Sequence, residues 1–117
     1  MPLFLLGGSS MTFTVNGSTW HLSFEKPSSS NLLRSDRSAT LGVTDNALKT
    51  VFINNRLTQK MTDKVLCHEL VHVYSFENGL DIPIETEEII ADFMSLYGRD
   101  IIYLADGILS NVMGKVM

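Results

Sequence analysis

Cys67 is the chain's one cysteine, so no intrachain disulfide can staple the fold. A fold without that staple fits a reducing compartment, and a cytoplasmic protein is expected. Basic residues are few and scattered. Lys and Arg total 9 against 13 Asp and Glu, for a formal net charge of −4. Arg34 and Arg37 form the one close arginine pair, with Asp36 between them. That balance argues against a nucleic-acid-binding surface. No apolar run is long enough to span a membrane, so no membrane partner is expected. The run at 3–6 is short and lacks the basic flank of a signal peptide. Residues 1–11 are expected to be a flexible tail or a mis-called start. Also missing are internal repeats, a glycine-rich phosphate loop and a Ser/His/Asp nucleophile arrangement.

What remains is the composition of a globular protein, 44% apolar and 19% charged. At 117 residues there is room for one core, so residues 12–117 are expected to form a single domain. Residues 12–24 alternate around Asn16-Gly17, the strongest two-residue hairpin signal. Trp20, Leu22 and Phe24 fall on one face of the second arm and His21 on the other. Residues 25–40 are polar and irregular, long for a loop in so small a domain. Leu32 and Leu33 can pin this loop, and Arg34 or Arg37 can line a site. Residues 41–54 read as a second hairpin turning at Asn46-Ala47-Leu48. Together the hairpins give a small antiparallel sheet of about four strands.

A first helix is expected from Thr58 or Thr62, either of which can cap it, to Asn78-Gly79. Within it lies His68-Glu69-Leu70-Val71-His72, the pattern H-E-x-x-H. Residues four apart share a helix face, about 6 Å apart along the axis. Two imidazoles so placed can converge on one zinc ion. Glu69, one step round, can reach water at the metal without being a ligand, as a general base must. Cys67 points about 100° away from His68 and reads as core packing.

An open zinc site needs a third protein ligand. A second helix, from Glu85 or Thr86 to about Tyr103, supplies Glu85, Glu87, Glu88 and Asp92. Its apolar residues spread widely around it, so it is expected to be mostly buried. Gly98 can relax packing or mark a bend, and the tail from Asp106 can be a frayed helix. Acidic residues near a helix start can merely suit its positive end. However, Glu88 and Asp92 share a face, with small Ala91 beside them. Glu88 can bind the zinc and Asp92 can accept the free ring N–H of a histidine, most naturally His68. Glu85 is the runner-up as ligand. Glu87 lies about 100° round from Glu88 and is the weaker candidate.

His-Glu-Leu-Val-His, followed by Glu-Thr-Glu-Glu and Ile-Ile-Ala-Asp-Phe, resembles the short ImmA/IrrE-type metallopeptidases, particularly those of phages and mobile elements. The resemblance covers residues 41–103 and is weak before them. It implies a minimal zincin-like α+β fold of the gluzincin kind, with a small sheet packed on the H-E-x-x-H helix. It implies one zinc ion on His68, His72 and Glu88, with Glu69 as catalytic base. It also implies a protein substrate such as a repressor-like regulator. Unlike longer members of that family, this chain is expected to carry no helix-turn-helix and no extra sensor domain.

The expected function is a zinc-dependent peptidase hydrolysing a peptide bond with metal-activated water. Candidates for the oxyanion donor or a substrate contact are Tyr74, Tyr97 and His21. A free sheet edge, at 41–45 or 49–54, can hold an extended substrate. The alternative is a zinc-binding interaction module without physiological proteolysis, against which an intact Glu69 argues. A purely structural zinc site is disfavoured, since such sites are usually closed by four Cys or His ligands.

Overall fold

The computed structural model describes residues 10–34 and 36–113. Strand β1 (Ser10–Val15) pairs antiparallel with β2 (Ser18–Glu25). Asn16 and Gly17 join them at φ 50° and 84°, positive at both central positions as the tight hairpin turn requires. The first strand thus begins two residues before the expected position 12. The rest of the expected tail, 1–9, lies outside the described residues.

The second hairpin is β3 (Gly42–Asp45) and β4 (Thr50–Asn54). The sheet order is β1-β2-β4-β3, and β2 runs parallel to β4. The sheet is therefore mixed, which corrects the antiparallel expectation. The long 26–41 connection is the reason. It carries the chain past the place of β4 to the outer edge, where β3 forms. The chain then turns back, and β4 takes the gap beside β2. One edge of the sheet is consequently β3.

That connection is ordered by local bonds. A short 3₁₀ turn, Ser30–Leu32, is capped by Ser29, whose hydroxyl accepts the Asn31 N–H at 3.1 Å. Leu32 is fully buried and pins the loop, whereas Leu33 is exposed. The Glu25 carboxylate accepts bonds from Ser23, Ser29 and Asn31 at 2.5, 2.7 and 3.1 Å.

Helix α1 (Gln59–Glu77) starts at Thr58, whose hydroxyl accepts the Met61 N–H at 3.1 Å. It stops at Gly79, with φ 61°. There Leu80 N–H bonds Ser75 C=O at 3.0 Å and Gly79 N–H bonds Phe76 C=O at 3.2 Å, a Schellman closure. Val65 and Val73 of α1 pack on Val15, Trp20, Leu22, Val51 and Ile53 of the sheet. Each such side chain contributes about 1.5–3 kcal/mol on full burial. The Trp20 indole N–H donates to Glu77 at 2.8 Å, and Lys49 bonds the same oxygen at 3.0 Å. These bonds tie the last turn of α1 to the sheet.

The chain then forms one long helix over 84–113. It consists of α2 (Ile84–Phe93), a π turn (Met94–Gly98) and α3 (Arg99–Met113). Pro83 precedes it, so Thr86 is not its cap, and it runs ten residues past the expected Tyr103. Gly98 sits in the π turn, where a Cβ would meet Met94 Cε at 2.7 Å. Contrary to expectation, this helix is mostly exposed. Ile89, Phe93, Leu96 and Tyr97 are each at least half exposed, and α3 buries nothing. The reason is a shortage of partners. α1 already covers the sheet, so only the stripe of Glu87, Ala91 and Gly98 is buried. Among the described residues, no helix is long and apolar enough to cross a membrane.

Candidate metal centre

His68 and His72 sit on the side of α1 that faces α2. Their ring centroids are 5.1 Å apart and their Nε2 atoms 3.4 Å apart. Glu88 of α2 brings Oε1 to 3.3 Å from His68 Nε2 and 2.6 Å from His72 Nε2. A tetrahedral ion with bonds of about 2.0–2.1 Å separates its ligand atoms by about 3.3–3.4 Å. Two of the three edges have that length. The third is at hydrogen-bond distance.

The outer ring nitrogens are also held. Asp92 Oδ1 lies 2.9 Å from His68 Nδ1, and Glu87 Oε1 lies 2.7 Å from His72 Nδ1. Each carboxylate can only accept, so each Nδ1 carries the proton. With the proton on Nδ1, a neutral ring turns its Nε2 lone pair toward the Glu88 carboxylate. Three acceptors facing one another repel unless a cation or a proton lies among them. His68, His72 and Glu88 form the group of donors, all within 4.8 Å of one another, that can hold a metal ion among the described residues. Nitrogen and carboxylate oxygen donors suit zinc.

Glu87 is the residue that sequence reasoning undervalued. It does point away from Glu88, but toward His72 rather than solvent. Its second oxygen accepts the Ser75 hydroxyl at 2.8 Å, and the residue is buried. A signal existed: Ser75 lies three residues after His72 on the first helix, and small Ala91 lies four residues after Glu87 on the second, so each pair shares a helix face. The runner-up, Glu85, is exposed and outside the group.

Glu69 faces β3 and is 7% exposed. The Thr44 hydroxyl donates to its Oε1 at 2.7 Å. Burial pushes the carboxyl above its ordinary range, while the Thr44 bond and the nearby imidazoles pull it back. That opposition suits a group that must take up and release a proton. Gly42 makes the packing possible: a Cβ there would meet Val65 Cγ1 at 2.7 Å and Glu69 Cγ at 3.1 Å.

These groups line a cleft of about 1130 Å³ between β3, α1 and α2, with Arg34 from the long loop at its wall. Arg37 is in the exposed turn beyond. The three oxyanion candidates are elsewhere. His21 is exposed on the sheet face opposite α1, because Trp20 and Leu22 on either side of it face the core. Tyr74 is two residues from His72, on the far side of α1, and Tyr97 packs against Phe93 at 5.3 Å. Cys67 is half-buried between α1 and the long helix, outside the main core, and burial pushes its thiol up.

Comparison with protein-family models, with curated proteins and with solved structures finds no match to this chain.

Proposed function

We propose that this chain is a zinc-dependent peptidase. The observation that carries the reading is the convergence of His68 Nε2, His72 Nε2 and the Glu88 carboxylate beside the buried Glu69. A zinc ion held there supplies Lewis acidity, which acidifies water and polarises a carbonyl. The chain's own residues do the rest. Glu87 and Asp92 hold the rings in the ligating tautomer. Glu69 takes a proton from water and returns it to the leaving amine. Thr44 keeps the Glu69 carboxylate oriented into the cleft.

The edge strand β3 supports an extended substrate. β4 is paired on both sides, which removes the other candidate edge. Asn54 N–H bonds Leu41 C=O at 2.9 Å, so Leu41, Val43 and Asp45 direct their backbone groups at β4. Gly42 and Thr44 direct theirs outward, along the cleft wall, where a substrate strand can add. We infer a protein regulator with an extended segment as substrate, in keeping with the resemblance of the motif region.

The test has two stages. Elemental analysis of wild type and Glu88→Ala comes first, with about one zinc per wild-type chain expected and a large loss in the variant. Glu69→Gln is then compared with wild type on candidate protein substrates, where retained zinc and abolished cleavage are expected. Biological function that survives Glu69→Gln would leave zinc-dependent binding as the role.

A further inference from the structure

Beyond Arg99 the long helix leaves the body. The main contacts of α3 are with the π turn that precedes it, and Arg99 pairs with Asp63 at 2.6 Å at its root. A lone helix of this length is marginal in water, because most helical stability in proteins comes from packing an amphipathic face. α3 has such a face. At about 100° per residue, Ile101, Ala105, Ile108 and Val112 form its centre line. Leu104 flanks them on one side, and Ile102, Leu109 and Met113 on the other. The apolar arc spans about half the circumference. Its large side chains are 45–66% exposed.

Charge narrows what can cover this face. Helices that lie on membranes carry Lys and Arg on the polar side. α3 carries Arg99 alone, against Asp100 and Asp106, in a chain of net charge −4. The apolar arc itself bears no charge, so its partner must offer an uncharged face of similar length. A second copy of α3 does so by construction. The area also fits. Its exposed apolar side chains set an upper limit on the order of 600–800 Å² per chain, at or below the ~800 Å² per partner of a standard interface.

We propose that α3 is a homodimerisation helix, two copies packing antiparallel about a two-fold axis at Ala105. The small side chain there lets the backbones approach. Ile101 then faces Leu109 of the second copy, and Ile102 faces Ile108. Val112 and Met113 of the second copy end beside the π turn, where Gly98 is already buried and Met94 and Tyr97 are exposed. That is the mouth of an apolar groove of about 560 Å³, lined by Leu70, Val71, Tyr74, Ile90, Met94 and Ile102. The pairing thus covers the groove as well as the helix.

Light scattering over a concentration series of the full chain tests this. The expected mass is twice the 13.0 kDa of one chain, falling to one chain in Ile108→Glu. Far-UV circular dichroism should keep the sheet and α1 signals in that variant, since Ile108 belongs to neither the core nor the groove lining. In a Cys67→Ser background, Ala105→Cys should oxidise to a covalent dimer much faster than Ser110→Cys, which lies on the polar face. A wild-type chain that stays monomeric overturns the proposal. So does a dimer that survives Ile108→Glu, or equal cross-linking at 105 and 110. A monomer that co-sediments with phosphatidylcholine–phosphatidylglycerol vesicles overturns it in favour of a membrane surface.

Discussion

Glu87 bonds His72 Nδ1 at 2.7 Å with one carboxylate oxygen and accepts the Ser75 hydroxyl at 2.8 Å with the other. Asp92 plays the matching part for His68 at 2.9 Å, but its side chain is 70% exposed against 8% for Glu87. Water can replace an exposed partner far more easily than a buried one. Glu87→Ala should therefore weaken zinc binding about 10–100-fold. Asp92→Ala should weaken it only a few-fold. Competition titration against a chromogenic chelator measures both, and equal losses would refute the difference in roles.

Metal removal should destabilise the fold. Binding to the native state alone contributes about 2.7 kcal/mol when free ligand exceeds its Kd a hundredfold. Chelation should lower the melting temperature of wild type and leave Glu88→Ala unmoved. A chelator that shifts both equally would mean the metal binds elsewhere.

Gly42→Ala should be costly in a place where nothing ligates metal. The added Cβ would press on Val65 and on Glu69, and forced overpacking costs about 1–3 kcal/mol. Urea denaturation should show that loss. Because Glu69 is displaced, turnover should fall while zinc content stays the same.

The loop before β3 should be acid-sensitive through Glu25. The Ser23 bond foremost, then those of Ser29 and Asn31, hold its carboxyl below the ordinary value of 4.5. A depressed folded-state pKa stabilises the fold above the unfolded value, and the benefit is lost as pH falls through the folded one. Glu25→Gln should thus lose about 1 kcal/mol at neutral pH. Melting curves of variant and wild type should converge in strong acid. A gap that persists there would rule out the carboxylate's charge as its source.

Local chemistry was legible in the chain. The turn at Asn16-Gly17, the cap at Thr58 and the stop at Gly79 rest on residues a few positions apart. So does the shared face of His68 and His72. Helix geometry alone was also enough to put Glu88 and Asp92 on one side of the following helix. None of these needs a distant contact.

What the tertiary structure decided depends on contacts between elements far apart in sequence. Strand order is one case: both hairpins were readable, but whether β3 or β4 lay beside β2 depended on the path of 26–41. That path made β3 the open edge of the cleft. Glu87 is another, since its value came from meeting His72 and Ser75 across a helix–helix contact. The largest difference is the long helix. Its composition reads as buried because apolar residues surround it, yet periodicity cannot say whether a partner exists to cover them. Among the described residues of one copy, α1 and the sheet have already used each other's apolar faces, and α3 is left without one.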